Sequence, residues 1–451
     1  MKVMLVMPLY KTHIIVPPLS LGYLAGSLRK EGHEVDIVDC LRDKITHKKF
    51  SNILAEQKPD IVGFTAMTAY YPDAQKYISI AHSAGIMAVL GGPHASALPE
   101  QTLNETPELD FVVVGEGEET FVDLLKNLKN PEKVRGIAFR DGNNIRINEP
   151  RDLIRNIDDL TLAWDLIPPN KYPNSPHGTV AKNFPVAPVI TSRGCAFDCT
   201  FCTSKVTWRR RVRFRSPSKV VDEIGMLVKN YGVKEIDIED DNFTLNKEHA
   251  MRICDEIIKR NLKISLACPS GIRIDSLNDE LVKKMKKAGF YLIGFGIENG
   301  NQEIIDRIGK GFKLDAVQKV VKMVNDVGML SYGFFIIGLP GETNKTIQNT
   351  IKFSISAGFK RATFSLFSPL PGSKDFDDWV KKNNIAHFDW SKHRLDEAVF
   401  ETDILSAEKL KKWQTLAFRK FYMKPKNMWN LITYMKLSQI KFLITAMREY
   451  L

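Results

Sequence analysis

The sequence predicts an α/β protein: a doubly wound parallel sheet, then a partial (β/α)6 barrel, then a helical C-terminal region. Three observations predict it. Short apolar runs alternate with amphipathic helical stretches twice along the chain, once before about residue 140 and again from about residue 186. Glycines fall at the carboxyl ends of the predicted strands, where ligands bind in sheets of this kind. A loop with three cysteines follows the first strand of the second series, where barrels carry their chemistry. The expected divisions are 1–140 for the sheet domain, 141–185 for a linker, 186–374 for the barrel and 375–451 for the helical region.

In the first series the strands are expected at 3–7, 34–39, 61–65, 87–90 and 111–114, and the helices at 19–30, 44–56, 72–84 and 119–128. Gly91-Gly92 follows the fourth strand and Gly115-Glu116-Gly117-Glu118 the fifth. Glycine admits positive φ and close backbone approach, although any βα turn can carry it. Periodicity then lapses through turn-rich stretches such as Asp158-Asp159-Leu160, Ile167-Pro168-Pro169 and Pro173-Asn174-Ser175-Pro176. It returns with strands expected at 189–191, 235–239, 264–267, 292–297, 332–337 and 362–366, separated by helices such as 218–231, 247–260, 279–287, 314–327 and 343–357. Beyond the barrel, 405–422 and 428–450 read as amphipathic helices. The second is basic through Lys436, Lys441 and Arg448, with Lys426 just before it. Contact with a membrane surface is one use for such a helix; packing on the open side of the barrel is the simpler one.

Composition narrows the function. With 451 residues, 44% hydrophobic and 26% charged, the chain has the makings of two or three domains with real cores. No stretch reaches the ~18 uninterrupted apolar residues of a membrane span. The start, Met1-Lys2-Val3-Met4-Leu5-Val6-Met7-Pro8, reads as a first strand and not as a signal peptide. The six scattered cysteines then point to a reducing cytoplasm. The net charge of +11 is spread with Lys and Glu mixed along most of the chain, which favours a lysine-rich surface over nucleic-acid binding. One run is locally basic, Trp208-Arg209-Arg210-Arg211-Val212-Arg213-Phe214-Arg215, and could attract an anionic substrate or a reductant.

The cysteines carry the sharpest chemistry. Cys195, Cys199 and Cys202 stand as C-x3-C-x2-C in Arg193-Gly194-Cys195-Ala196-Phe197-Asp198-Cys199-Thr200-Phe201-Cys202. Three thiolates on one loop can hold three irons of a [4Fe–4S] cube and leave the fourth iron open to a substrate or cofactor. A structural zinc site needs four ligands, and Cys40, Cys254 and Cys268 stand far off in the sequence. Other strand ends bear polar groups. Asp240 and Asp241, in Glu239-Asp240-Asp241-Asn242-Phe243, suit either an ammonium and ribose hydroxyls or a helix cap. Arg273 suits either a bound carboxylate or a structural salt bridge.

The cysteine spacing resembles the signature of the radical S-adenosylmethionine (SAM) superfamily. Glu239-Asp240-Asp241-Asn242-Phe243, Gly271-Ile272-Arg273-Ile274-Asp275, Gly296-Ile297-Glu298-Asn299-Gly300 and Gly333-Phe334-Phe335-Ile336-Ile337-Gly338-Leu339-Pro340-Gly341-Glu342 follow in the family's order over roughly 185–372. The segments Pro17-Pro18-Leu19-Ser20-Leu21-Gly22, Gly63-Phe64-Thr65-Ala66-Met67-Thr68, Gly91-Gly92-Pro93-His94 and Gly115-Glu116-Gly117-Glu118 resemble the Rossmann-like cobalamin-binding domain fused to many of its members. The resemblance implies that Cys195, Cys199 and Cys202 bind the cluster. It implies that Phe197, Phe201, Asp240, Asp241, Arg273, Glu298 and Ile337 line the SAM site, with the two phenylalanines shielding the cluster. It also implies that Thr65, Thr68, Gly91, Gly92, Gly115 and Glu116 line a cobalamin slot. The D-x-H-x-x-G motif that ligates cobalt in many B12 proteins is absent; His13 lies in the corresponding loop, and His94 reads as a turn residue.

By resemblance, the expected enzyme cleaves SAM at the cluster to a 5′-deoxyadenosyl radical and methylates an unactivated carbon of a small molecule, using cobalamin. An external one-electron reductant of flavodoxin or ferredoxin type would supply it. The alternative with the same cofactors is an oxidative cyclase of the anaerobic magnesium-protoporphyrin monomethyl ester type. A tRNA methylthiotransferase is disfavoured, because those enzymes carry three further cysteines in an N-terminal domain and this one has Cys40 alone. An iron–sulfur electron carrier or B12 sensor is disfavoured by the full set of SAM-site strand ends.

Overall fold

The computed structural model describes residues 1–12, 14–174, 181–385, 387–394, 396–402 and 404–433. The chain forms two compact units, the first of Met1–Tyr172, Thr203–Arg209 and Leu370–Ser391. The second holds Pro173–Cys202, Arg210–Pro369 and Lys392–Leu451, as far as these are described.

The first unit is built on a sheet of seven strands: β1 (Lys2–Met7), β2 (Glu34–Asp39), β3 (Ile61–Thr65), β4 (Met87–Gly91), β5 (Phe111–Val113), β6 (Ile137–Asp141) and β7 (Asn144–Ile147). Their order is β2-β1-β3-β4-β5-β6-β7. The first five are parallel, and β6 and β7 add an antiparallel hairpin. The hairpin departs from the all-parallel expectation. Its outer strand is mostly exposed, so the sequence there has no need of the apolar run that marks a buried parallel strand. Direction reverses between β1 and β3, which makes their carboxyl ends the crevice where a ligand fits. The core sets Met4, Val6, Val62, Phe64 and Leu90 of the strands against Phe50, Tyr71 and Tyr77 of the helices, all nearly free of solvent contact. Phe376 and Trp390, from the late segment Leu370–Ser391, join the same core.

The second unit has six parallel strands in the order β15-β14-β13-β12-β11-β8. These are β8 (Val186–Val189), β11 (Glu235–Ile238), β12 (Ser265–Ile272), β13 (Phe290–Glu298), β14 (Leu330–Ile337) and β15 (Arg361–Leu366). A two-residue ribbon, β9 (Ser192–Arg193) with β10 (Arg213–Phe214), brackets the cysteine loop. Two of the helices between start where a side chain accepts from a first free amide, Asn246 from His249 N and Asn278 from Leu281 N. Thr343 and Thr346 cap each other in the same way. The partial barrel is thus as expected, with β12 running five residues past its expected carboxyl end at 267 and β13 longer than expected at both ends. Helix Ala407–Tyr422 covers β15 through Gln414, which donates to Phe364 O. Helix Pro425–Thr433 follows it; the expected stretch with Lys436, Lys441 and Arg448 lies outside the described residues.

Candidate functional site

In the second unit the cysteine loop is held from several sides. Asp240 is fully buried at the end of β11, where it accepts from Thr191 N at 2.6 Å, Thr191 Oγ1 at 2.5 Å and Ser192 Oγ at 2.7 Å. Both of its oxygens are engaged in fixing the start of the loop, so it stands behind the cysteines and does not face a ligand. Asp241 accepts from Gly194 N at 3.1 Å, in the tight turn that glycine's φ of +99° permits just before Cys195. Farther along, Thr200 N donates to Ile308 O at 3.1 Å, and Arg210 pairs with Asp198. The basic run thus has structural duties. Arg215 is buried against Glu223 and Ile190 O, and Arg209 donates to Arg151 O within the first unit.

Cys195, Cys199 and Cys202 are half-buried, and none forms a disulfide. Burial pushes the Cys195 thiol up and the Cys199 thiol to about 11, while Lys310 pulls both the other way. A thiolate ligand at such a site needs more positive charge than the protein supplies, as iron would give. Among the described residues no three His, Cys, Asp or Glu gather closely enough to hold a single metal ion. A tetrahedral zinc site needs that crowding; a cube does not, because each thiolate takes a different iron. The donor set therefore fits a [4Fe–4S] cluster.

Charged groups converge beside the loop. Arg273, buried after β12, stacks its guanidinium 3.6 Å over the Phe197 ring. Its Nε and Nη2 donate to Asp275 at 2.9 and 2.6 Å, and its buried Nη1 meets no hydrogen-bond partner among the described residues. Both sequence readings of this arginine are therefore present in one side chain: a salt bridge, and one nitrogen left for a ligand. Glu298, at the end of β13, has φ +69°, a strained value for a side-chain-bearing residue, and is buried. Its Oε1 meets Lys310 Nζ at 2.9 Å, and the same Nζ donates to Gly296 O at 2.9 Å. Phe197 and Phe201 are half-buried and not exposed; each lies under a cation, Arg273 or Lys310.

Ile337 departs from expectation. Its side chain is fully buried, and its carbonyl accepts from Phe367 N at 2.8 Å. The next two amides, Gly338 N and Leu339 N, donate to Glu342 Oε2 at 2.7 and 3.1 Å. Glu342 Oε1 accepts from Asn299 Nδ2 at 2.7 Å, so the two signature turns are tied through one buried carboxyl group. Burial pushes that carboxyl up to about 7, against the pull of these three hydrogen bonds. Lys310 lies outside every motif quoted above, while Asn299 and Glu342 stand inside two of them without a role read from the sequence. A glycine on each side of Lys310 was the available signal.

The strand ends of the first unit differ. Gly92, at φ +97°, lies so close to β3 that a Cβ would stand 2.8 Å from Thr65 Oγ1 and Ala66 O. Gly115, at φ +80°, would place a Cβ in open space, and at Gly91 the nearest atom would be 3.9 Å away. Thr68 Oγ1 lies 3.4 Å from Nδ1 of the fully buried His94, whose ring stacks on Tyr71. Gly115 N donates to Ser96 Oγ at 3.0 Å. Glu116 faces inward, its Oε2 accepting from Ile154 N at 2.9 Å, so it holds the linker and not a ligand. At the β1/β3 crevice the rings of Tyr10 and Tyr70 stack 3.7 Å apart, and burial raises the Tyr10 phenol, which stays neutral. Ile14 and Met67 beside them are exposed. Open backbone at Gly91 and Gly115, exposed apolar side chains and inward-turned carboxylates leave room for a large cofactor such as cobalamin, whose corrin is ringed by neutral amides that backbone groups and hydroxyls can meet. His13 lies outside the described residues. Among the described residues no helix is long and apolar enough to cross a membrane.

Known proteins agree with this architecture. Residues 10–125 match the B12 binding domain and residues 189–354 the radical SAM superfamily. The chain is 35% identical to an uncharacterized methyltransferase of Pyrococcus horikoshii, over 94% of this chain and 93% of that one. It is 30% identical to the anaerobic magnesium-protoporphyrin IX monomethyl ester cyclase of Cereibacter sphaeroides, over 90% and 67%. It is 31% identical to the cytidylyl-2-hydroxyethylphosphonate methyltransferase of Streptomyces wedmorensis, over 81% and 78%. Its fold is similar to that of OxsB, a cobalamin-dependent SAM radical enzyme solved with aqua-cobalamin and SAM, with a TM-score of 0.74 and 19% identity over 98% of this chain and 72% of that one. The two domain families occur here in one chain and in the order found in these relatives. The chain therefore belongs to the radical SAM superfamily, among the enzymes that join a B12-binding domain to the radical SAM domain and use a [4Fe–4S] cluster, SAM and cobalamin.

Proposed function

We propose that this enzyme is a cobalamin-dependent radical SAM methyltransferase acting on an unactivated carbon of a small molecule. The observation that carries the reading is the pairing, in one chain, of a charged three-cysteine site with an open, apolar B12-binding crevice. When bound, the cluster supplies the electron that cleaves SAM, and cobalamin supplies the methyl group for a carbon that is no nucleophile.

The chain's own residues bind and orient. Cys195, Cys199 and Cys202 hold the cluster. Asp240 and Asp241 are positioning residues that fix the loop before Cys195. Arg273 Nη1 has no hydrogen-bond partner among the described residues and suits the SAM carboxylate. Glu298 has its second oxygen left for the amino or ribose groups. Phe197 and Phe201 cover the loop and keep water from the cluster. Thr65, Thr68, Gly91, Gly92 and Gly115 form the cobalamin wall, while Glu116 holds the linker behind it.

The similarity to the ester cyclase supports a second reading, oxidative ring closure with the same cofactors. A methylthiotransferase is disfavoured, although the chain is 28% identical over 61% of its length to a putative methylthiotransferase of Methanocaldococcus jannaschii: the first unit offers Cys40 alone, which is fully buried with its thiol pushed up to about 12.

Anaerobic turnover of reconstituted protein, with and without methylcobalamin, separates the readings. Deoxyadenosine together with cobalamin-dependent S-adenosylhomocysteine and a methylated product supports methyl transfer. Deoxyadenosine with an oxidised, unmethylated product supports the cyclase.

A further inference from the structure

Lys310 is absent from every motif singled out above, and it is among the most completely enclosed charges in the second unit. Its side chain is 9% exposed and that of Glu298 10%. Nζ is fixed twice at 2.9 Å, on Glu298 Oε1 and on Gly296 O, and lies 5.9 Å over the Phe201 ring. The backbone is shaped to hold it there. Gly309 and Gly311 on either side take φ +70° and +71°, and a Cβ on Gly309 would meet Asp198 O of the cysteine loop at 3.0 Å. Gly296 clears the other side, since a Cβ there would lie 2.7 Å from Glu298 Oε1 and 3.0 Å from Lys310 Nζ.

We propose that Lys310 is a positioning and electrostatic residue of the cluster site: a fixed cation that aims the Glu298 carboxylate and eases entry of the electron into the cluster. This rests on the cluster reading given above. Arg273 is balanced by Asp275, and Lys310 by Glu298. Removing the lysine's charge leaves a lone buried carboxylate beside Cys199. One electron then enters a more negative surrounding, with no bond made or broken, and the reduction potential falls.

The test is a potentiometric titration of the reconstituted full chain, with dithionite as reductant, followed by electron paramagnetic resonance without SAM, alongside iron analysis and calorimetric SAM binding. K310Q is expected to retain iron but to hold about tenfold less reduced cluster at a fixed potential, and to bind SAM more weakly. K310R is expected to restore the potential. E298Q, which leaves Lys310 unbalanced, moves it the opposite way and keeps the test open should K310Q fail to fold. Loaded K310Q and E298Q with unmoved potentials overturn the proposal, and so do potentials that move in the same direction. A wild-type chain that takes up no cluster overturns the cofactor reading and this inference with it.

Discussion

At the strand ends of the first unit the buried carboxylates face inward, Asp39 onto Tyr172 and Glu116 onto Ile154. At those of the second unit Arg273, Glu298 and Lys310 gather beside the cysteines. The first end is shaped by missing side chains, the second by charges held in place. The difference follows from what each must bind. A corrin is large and ringed by neutral amides and is met by shape and by backbone groups, so open backbone suffices. A cluster and a zwitterionic cofactor are small and charged, and a buried charge is tolerated only with a fixed partner.

The comparison predicts that the two ends fail separately. The largest effect is expected from Cys199→Ala, which should abolish deoxyadenosine formation and iron content while leaving cobalamin uptake intact. Parallel loss of cobalamin would mean that the ends are not independent. Next comes Trp390→Ala. This ring stacks on Phe388 at 4.5 Å, meets the His94 edge at 4.9 Å and donates to Glu105 at 2.8 Å, all within the first unit. Its loss should cost about 3–5 kcal/mol of that unit's stability and lower cobalamin content without lowering iron, read by calorimetry and absorption spectra.

Glu342 sharpens the comparison on the second side. Its folded-state pKa of about 7 lies above the ordinary 4.5, so the native protein binds the extra proton. Its contribution to stability is complete below about pH 4.5 and is lost as pH rises towards 7. The stability of wild type minus that of Glu342→Gln should fall by about 3 kcal/mol across that window, measured by denaturant unfolding. A flat difference would show that the three donated hydrogen bonds already hold the carboxylate ionised. The smallest effect belongs to Gly115→Ala. With no atom within 4 Å, the cost is that of a left-handed backbone, about 1–2 kcal/mol, so the fold should survive while cobalamin content falls. Unchanged cobalamin binding would remove Gly115 from the slot.

Much of this was legible in the chain. Strand β3 runs where its apolar residues say, because a central parallel strand buried on both faces needs an uninterrupted run. The cysteines declare themselves because three ligands on one loop need only local spacing. The β6–β7 hairpin did not show, since an exposed edge constrains its residues weakly.

Residue type and spacing thus determined the two series of strands, the cysteine loop and the glycines at the ligand ends, all features set by local sterics and burial. Tertiary structure decided the direction of each polar group. Asp240 and Glu116 lie at the expected strand ends, yet their oxygens are taken by Thr191, Ser192 and Ile154, residues 38 to 49 positions away. Lys310 sits in no motif, yet it reaches back to Glu298 and Gly296 across the helix Gln302–Arg307. A motif records which groups a site can use; which of them remain available depends on the partners that folding brings within hydrogen-bonding distance.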